Sequence, residues 1–334
     1  MKPSLLTALL HPEPTAGAAW RQWRQALDSF ERVTYPEQLL LPMLGSRLSQ
    51  WTAGDPDAAR FRGLVRQTWT RNQLQLQSAL ALQMSLAAAD VPAALAGPGV
   101  YALRADARGA VRAIPHIDLV IAREQLDAAA VVLQREGYHA DEPLPDVDAL
   151  DWRCHIRLRK GPDMLYLHWR VYPAVFHQTR LAERACFARL QTMVWNGQSL
   201  RVIGDADTLL HCVTGPRHDD QLPWEADVPL LQLDTMDWDG LRSHLRRFSL
   251  APDHPHPLAR LNAIRRAFPG LAIPAFTAAE CVSRASQPLA LWREYRNQCA
   301  HRNIPVGLRG FVAFLVGGAA REWQRWQRRP SWKS

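Results

Sequence analysis

The chain has 334 residues, 47% of them hydrophobic and 22% charged, a composition that excludes collagen-like, disulfide-scaffold and intrinsically disordered classes. Its formal net charge is +8, and of the 40 basic residues only Lys2, Lys160 and Lys333 are lysines. The arginines are spread along the chain and interleaved with acids, which suits a solvated basic surface and does not single out nucleic acid as a partner.

Five cysteines (Cys154, Cys186, Cys212, Cys281 and Cys299) contain no CxxC pair, so neither a zinc ribbon nor a dithiol site is indicated. They read as reduced, mostly buried thiols of a cytoplasmic protein. The N-terminal apolar stretch is broken early by proline and is too short for a signal peptide. The longest apolar run, residues 310–320, is too short to span a bilayer.

In chain order, residues 18–94 are helical in pattern, with apolar positions three and four apart in WRQWRQALDSFERV, EQLLLPMLGSRLSQW and RNQLQLQSALALQMSLAAA. Pro36 and the GDPD at 54–57 punctuate them. From Val91 the character changes. VPAALAG and IPHIDLVIA read as strands, REQLDAAAVVLQREG as a helix closed by Gly137, and CHIRLRK with MLYLHWRVY as a hairpin turning at Gly161-Pro162-Asp163. SLRVIG reads as a further strand before a helix that Asp205 or Asp207 can cap. APDHPHP resembles a joint, and the rest is helical down to an Arg/Trp-rich tail suited to packing on the core or docking on a partner or membrane surface. The expected class is α/β (α+β): a small mixed sheet within residues 91–205, a helical part at 1–90 and another at 206–334.

Several short motifs fall in a fixed order: Leu95-Ala96-Gly97; Arg112 four residues before His116; His116-Ile117-Asp118-Leu119-Val120; Glu136-Gly137-Tyr138; Tyr166-Leu167-His168-Trp169; then Asp207, Leu209, Leu210, His218, Leu222, Trp224 and Asp227. From about residue 35 to 250 this order resembles a widespread bacterial family of uncharacterised nucleotidyltransferases, related to DNA polymerase β. The family pattern runs Leu-Lys-Gly, Arg-x-x-x-Asp-x-Asp, Glu-x-His-Trp. The resemblance implies a nucleotidyltransferase-type sheet and an NTP bound with Mg²⁺ or Mn²⁺. It further implies transfer of a nucleoside monophosphate, with the nucleotide near Gly97, Gly99, Arg112 and Tyr166. Acids at i and i+2 on a strand point the same way, so they can grip one metal ion.

The departures lie where that chemistry resides. The family's lysine is Ala96, its first aspartate is His116, and the carboxylate before His-Trp is Tyr166. Asp118, His116 and His168 are then the catalytic candidates, and two alternatives stay open. Asp118, His116, His168 and His155 form a transition-metal set of two-His-one-carboxylate character, or the histidines merely line a cleft with no bound cofactor. Two functional readings follow. One is nucleotidyl transfer, impaired or altered. The other is a non-catalytic accessory that binds a nucleotide, a peptide or a partner protein, in modified-peptide or polysaccharide biosynthesis by resemblance.

Overall fold

The computed structural model describes residues 3–107, 109–145, 150, 153–172, 179–214, 222–250, 256–268 and 270–281. The Arg/Trp-rich tail, His218, Cys299 and most of APDHPHP lie outside the described residues.

Five helices come first: α1 (Pro3–Leu10), α2 (Thr15–Gln25), α3 (Tyr35–Leu40), α4 (Ser46–Trp51) and α5 (Ala58–Ala87). All five lie within the helical part expected over residues 1–90, and the apolar spacing itself is readable from residue 18 onward. Trp20, Trp23, Trp51 and Phe61 form one aromatic cluster among these helices, with ring centroids 5.0–6.3 Å apart. The buried Trp23 indole donates to Glu37 at 3.1 Å, while Glu37 also closes a capping box with Thr34 at the start of α3. α5 begins directly after GDPD and spans 30 residues. It ends with Asp90 at φ +57° and with the Val91 amide donating back to the Leu86 carbonyl, the six-to-one bond of a Schellman stop.

The sheet follows. Its strands are β1 (Ala93–Ala96), β2 (Ile117–Ile121), β3 (His139–Ala140), β4 (His155–Lys160), β5 (Asp163–His168), β6 (Gln191–Trp195) and β7 (Gln198–Val202), in spatial order β3-β4-β5-β2-β1-β7-β6. β2 runs parallel to β5 and antiparallel to β1, and β1 runs parallel to β7. The sheet is therefore mixed, as expected. β4 and β5 turn on Gly161-Pro162, with Gly161 at φ +57° in the first central position that a type II′ hairpin requires. β6 was not anticipated, although Asn196-Gly197, both at positive φ, is a strong hairpin signal directly before β7.

Helices α6 (Gly97–Asp106), α7 (Leu126–Arg135) and α8 (Thr179–Phe187) connect these strands, and α9 (Asp205–Thr214), α10 (Trp238–Phe248), α11 (His256–Ala267) and α12 (Ala278–Cys281) follow the last one and complete the described chain. α7 stops at Gly137 (φ +88°), where the Tyr138 amide donates to Leu133. Leu119, Leu165, Leu167, Ile156 and Leu158 alternate onto one face and are buried in a core continuous with the helices. Alternation sends Asp118, Tyr166, His168 and His155 to the opposite face. The four described cysteines are free thiols, three of them buried. No described helix is long and apolar enough to cross a membrane.

Candidate functional site

The sheet register brings the motif residues into one row. Ala96 pairs with Asp118 across β1 and β2, and Asp118 pairs with Tyr166 across β2 and β5. One step along, His168 pairs with His155 across β5 and β4. His116 precedes β2 by one residue and leans over the same face. Its ring meets the Tyr166 ring edge-on at 4.7 Å, and the His155 ring meets Tyr166 in the same manner at 4.9 Å.

Asp118 is the centre of this arrangement and is 4% exposed. Its Oδ1 accepts from His168 Nε2 at 3.1 Å, and its Oδ2 lies 3.5 Å from His116 Nε2. Burial disfavours the charged form, but the two facing imidazoles outweigh it and hold the carboxyl well below its usual range. Both oxygens of Asp118 are thus engaged by neighbouring side chains.

Gly97 opens α6 beside this carboxylate. Its φ is +53°, and a Cβ there would sit 2.2 Å from Asp118 Oδ2 and 3.4 Å from His211 Cε1. Glycine is required on both counts. Gly99 has a different reason: a Cβ would come within 2.8 Å of the Leu95 side chain, so it permits close packing of α6 on β1. The same geometry reveals a cleft residue that sequence reasoning missed. His211 projects from α9 with Nδ1 3.4 Å from the Tyr101 hydroxyl. The available signal was one imidazole late in the otherwise apolar LLHCV.

Arg112, expected near the nucleotide, is fully buried. Its guanidinium pairs with Asp227 through Nε at 2.8 Å and Nη2 at 3.3 Å, and donates to the Ala113 carbonyl at 2.7 Å. Asn72 of α5 holds the same segment, donating to the Arg112 carbonyl at 2.7 Å and accepting from the Ile114 amide at 2.9 Å. Asp227, read from sequence only as part of the resemblance, is thereby the partner that fixes the approach to β2. Trp169 is likewise an anchor: it is buried, and its indole donates to the Leu150 carbonyl at 3.0 Å. Neither Asp205 nor Asp207 is a simple cap. Asp205 accepts from Arg104, and Asp207 accepts from the Tyr172 hydroxyl and from Arg189 at 2.5 Å.

Cys154 Sγ lies 3.3 Å from His155 Nδ1. Burial pushes this thiol up to about 11 against the opposing pull of Arg170 and Arg153, so at neutral pH it is a protonated thiol and a poor nucleophile. Among the described residues, no group of three or more His, Cys, Asp or Glu side chains is arranged to hold a metal ion.

The profile of the family described as "Uncharacterised nucleotidyltransferase" matches residues 35–252. The chain belongs to that family. Among solved structures, that of the antibiotic-resistance factor ANT(2'')-Ia is similar at a TM-score of 0.34 and 12% identity, over 61% of this chain and 99% of that one. A search of curated proteins returns no match.

Proposed function

We propose that this family member binds a nucleotide in the cleft between β2, β5 and the start of α6, and does not carry out efficient two-metal nucleotidyl transfer. One observation carries the reading: both oxygens of Asp118 face imidazoles, and its register partners are Ala96 and Tyr166 rather than a lysine and an acid. Two Mg²⁺ ions demand several oxygen ligands with near-octahedral geometry. One carboxylate, two imidazoles and a phenol do not fit that demand, so no step is assigned to a bound Mg²⁺.

A transition-metal centre on His116, Asp118, His155 and His168 has better donor chemistry. It requires both imidazoles to release Asp118 and turn toward a shared point. Direct histidine–carboxylate contact therefore favours cleft-lining histidines.

The test combines calorimetry with ATP, GTP, CTP and UTP, each with Mg²⁺ or Mn²⁺, and incubation with labelled NTPs. We expect saturable binding of at least one nucleotide and no appreciable labelling of any acceptor. Robust labelling that Asp118→Ala abolishes would refute the non-catalytic part. Absence of binding by all four nucleotides removes the nucleotide part and leaves a peptide- or protein-binding accessory.

A further inference from the structure

Away from the cleft, a cavity of about 410 Å³ lies between α4 and the first turns of α5. Leu48, Phe61 and Val65 supply its apolar wall, and Arg62, Arg66 and Trp69 stand on α5 at its mouth. The volume falls within the range of small-ligand sites, roughly 300–1,000 Å³. We propose that this cavity binds an anion with a flat apolar body, of the chemical class of aromatic phosphates and carboxylates.

Charge is the first reason. Arg62 and Arg66 are four residues apart on one helix face, and no acidic side chain lines the cavity among the described residues. Neither arginine forms an ion pair with any described residue, whereas Arg24 is paired with Asp55 and Asp57, and Arg60 with Glu31 and Asp57. Like charges at this spacing destabilise a helix. An anion between the guanidinium groups reverses that sign and accepts charge-assisted hydrogen bonds from both.

Shape is the second reason. Trp69 lies three residues beyond Arg66 and is 45% exposed, although an indole of that size normally finds cover. Placed at the mouth of an apolar cavity, it offers a face on which a planar group stacks while its anionic substituent reaches the arginines. A purely inorganic anion would leave that face and the apolar wall unused. A neutral aromatic would leave the arginines unpaired.

Calorimetry with phenyl phosphate and with benzoate tests this, with inorganic phosphate, phenol and benzylamine as controls. We expect at least one aromatic anion to bind saturably in the millimolar range or tighter, and all three controls to bind more weakly. The phosphate and carboxylate arms show which head group is preferred. Arg62→Ala with Arg66→Ala should weaken binding about tenfold or more, given the strength of charge-assisted bonds, and Trp69→Ala should weaken it severalfold. Both arginines are exposed, so these variants keep the fold, and Arg62→Gln with Arg66→Gln repeats the charge removal with the stems retained. Failure of both aromatic anions to saturate overturns the proposal. Binding that survives the double substitutions also overturns it, since an anion held in the histidine cleft would not respond to them.

Discussion

Breaking the Arg112–Asp227 pair should unfold this protein more readily than any change in the histidine cleft. Asp227→Ala removes the carboxylate that the buried Arg112 guanidinium faces at 2.8 Å, where Arg112 is 0% and Asp227 4% exposed. Removing one partner of a buried pair costs about 3–5 kcal/mol, chiefly through the uncompensated charge. The site has two further features that keep the cost near the upper end. The guanidinium cannot lose its proton, and Asn72 pins the Arg112 and Ile114 backbone so that the side chain cannot swing out to water. Denaturant unfolding at neutral pH, followed by tryptophan fluorescence and circular dichroism together, measures the loss. The double variant Arg112→Met with Asp227→Leu should recover much of it, because a hydrophobic pair of similar volume is often neutral or stabilising in such a position. A cost for Asp227→Ala below about 1 kcal/mol, the scale of exposed ion pairs, refutes the structural assignment. So does a double variant whose cost equals the sum of the singles, which would mean the two side chains are not coupled.

Gly97→Ala should cost about 2 kcal/mol or more, from the positive φ and from the new methyl meeting Asp118 Oδ2. The cost should shrink in an Asp118→Gly background, and equal costs in both backgrounds would show that the contact is not tight. His244 is held neutral, pushed down to about 3 by burial and by the nearby Arg189 and Arg247. The unfolded chain binds that proton near pH 6.5, so stability should fall by about 2 kcal/mol between pH 7 and pH 5. His244→Phe, packed on Phe248 and Tyr172, should flatten that part of the pH profile, and an unchanged slope would rule His244 out as its source. Metal analysis of tag-free protein exposed to Zn²⁺ or Mn²⁺ should find less than one equivalent bound. A full equivalent lost in His168→Ala would instead establish the rebuilt metal centre.

What the sequence revealed about the fold depended on local punctuation. Gly161-Pro162 marks a turn, and the observed pairing of His155 with His168 follows from it, because register is set once the turn is known. Gly137 ended α7 for the same kind of local reason. β6 was equally legible from Asn196-Gly197 and was overlooked because QTMVW, exposed along most of its length, carries little apolar alternation. α6 was hidden by Gly97-Pro98-Gly99, which reads as a turn. Its first residue has positive φ and its third is glycine because Leu95 crowds it, and neither cause is visible without the strand beside it. The site was legible along β2 and β5 and illegible across elements. Arg112 finds Asp227 over 115 positions of chain, and His211 reaches the cleft from a helix that only the packed fold brings near Asp118. Motif spacing speaks for residues along one strand, whereas the pairing of Arg112 with Asp227 joins two distant segments and leaves no trace in spacing.

The positions where the resemblance would place the family's lysine and acids are neighbours in space. Ala96, Asp118 and Tyr166 are consecutive register partners across three strands, with His116 over the same face. By the resemblance, an ancestral row of lysine and three acids balanced its charge against bound metal and phosphate. Losing the lysine alone would leave three acids crowded on a buried face, a costly arrangement. Losing two acids with the lysine leaves one carboxylate, which two imidazoles satisfy. The residues that hold the strands in place lie elsewhere: the leucines on the opposite face, Trp169 beyond the end of β5, and the Arg112–Asp227 pair before β2. Changes in the row Ala96, Asp118 and Tyr166 therefore remove little that the sheet needs. Restoring only part of the row, as in His116→Asp alone, should place two carboxylates together with only His168 facing them, and lower stability. His116→Asp combined with Tyr166→Glu and Ala96→Lys should restore the charge balance, and Mg²⁺ should then raise the melting temperature of the triple variant while leaving that of the parent unchanged. A triple variant that ignores Mg²⁺, or a parent that responds to it, would mean that the row does not control metal binding.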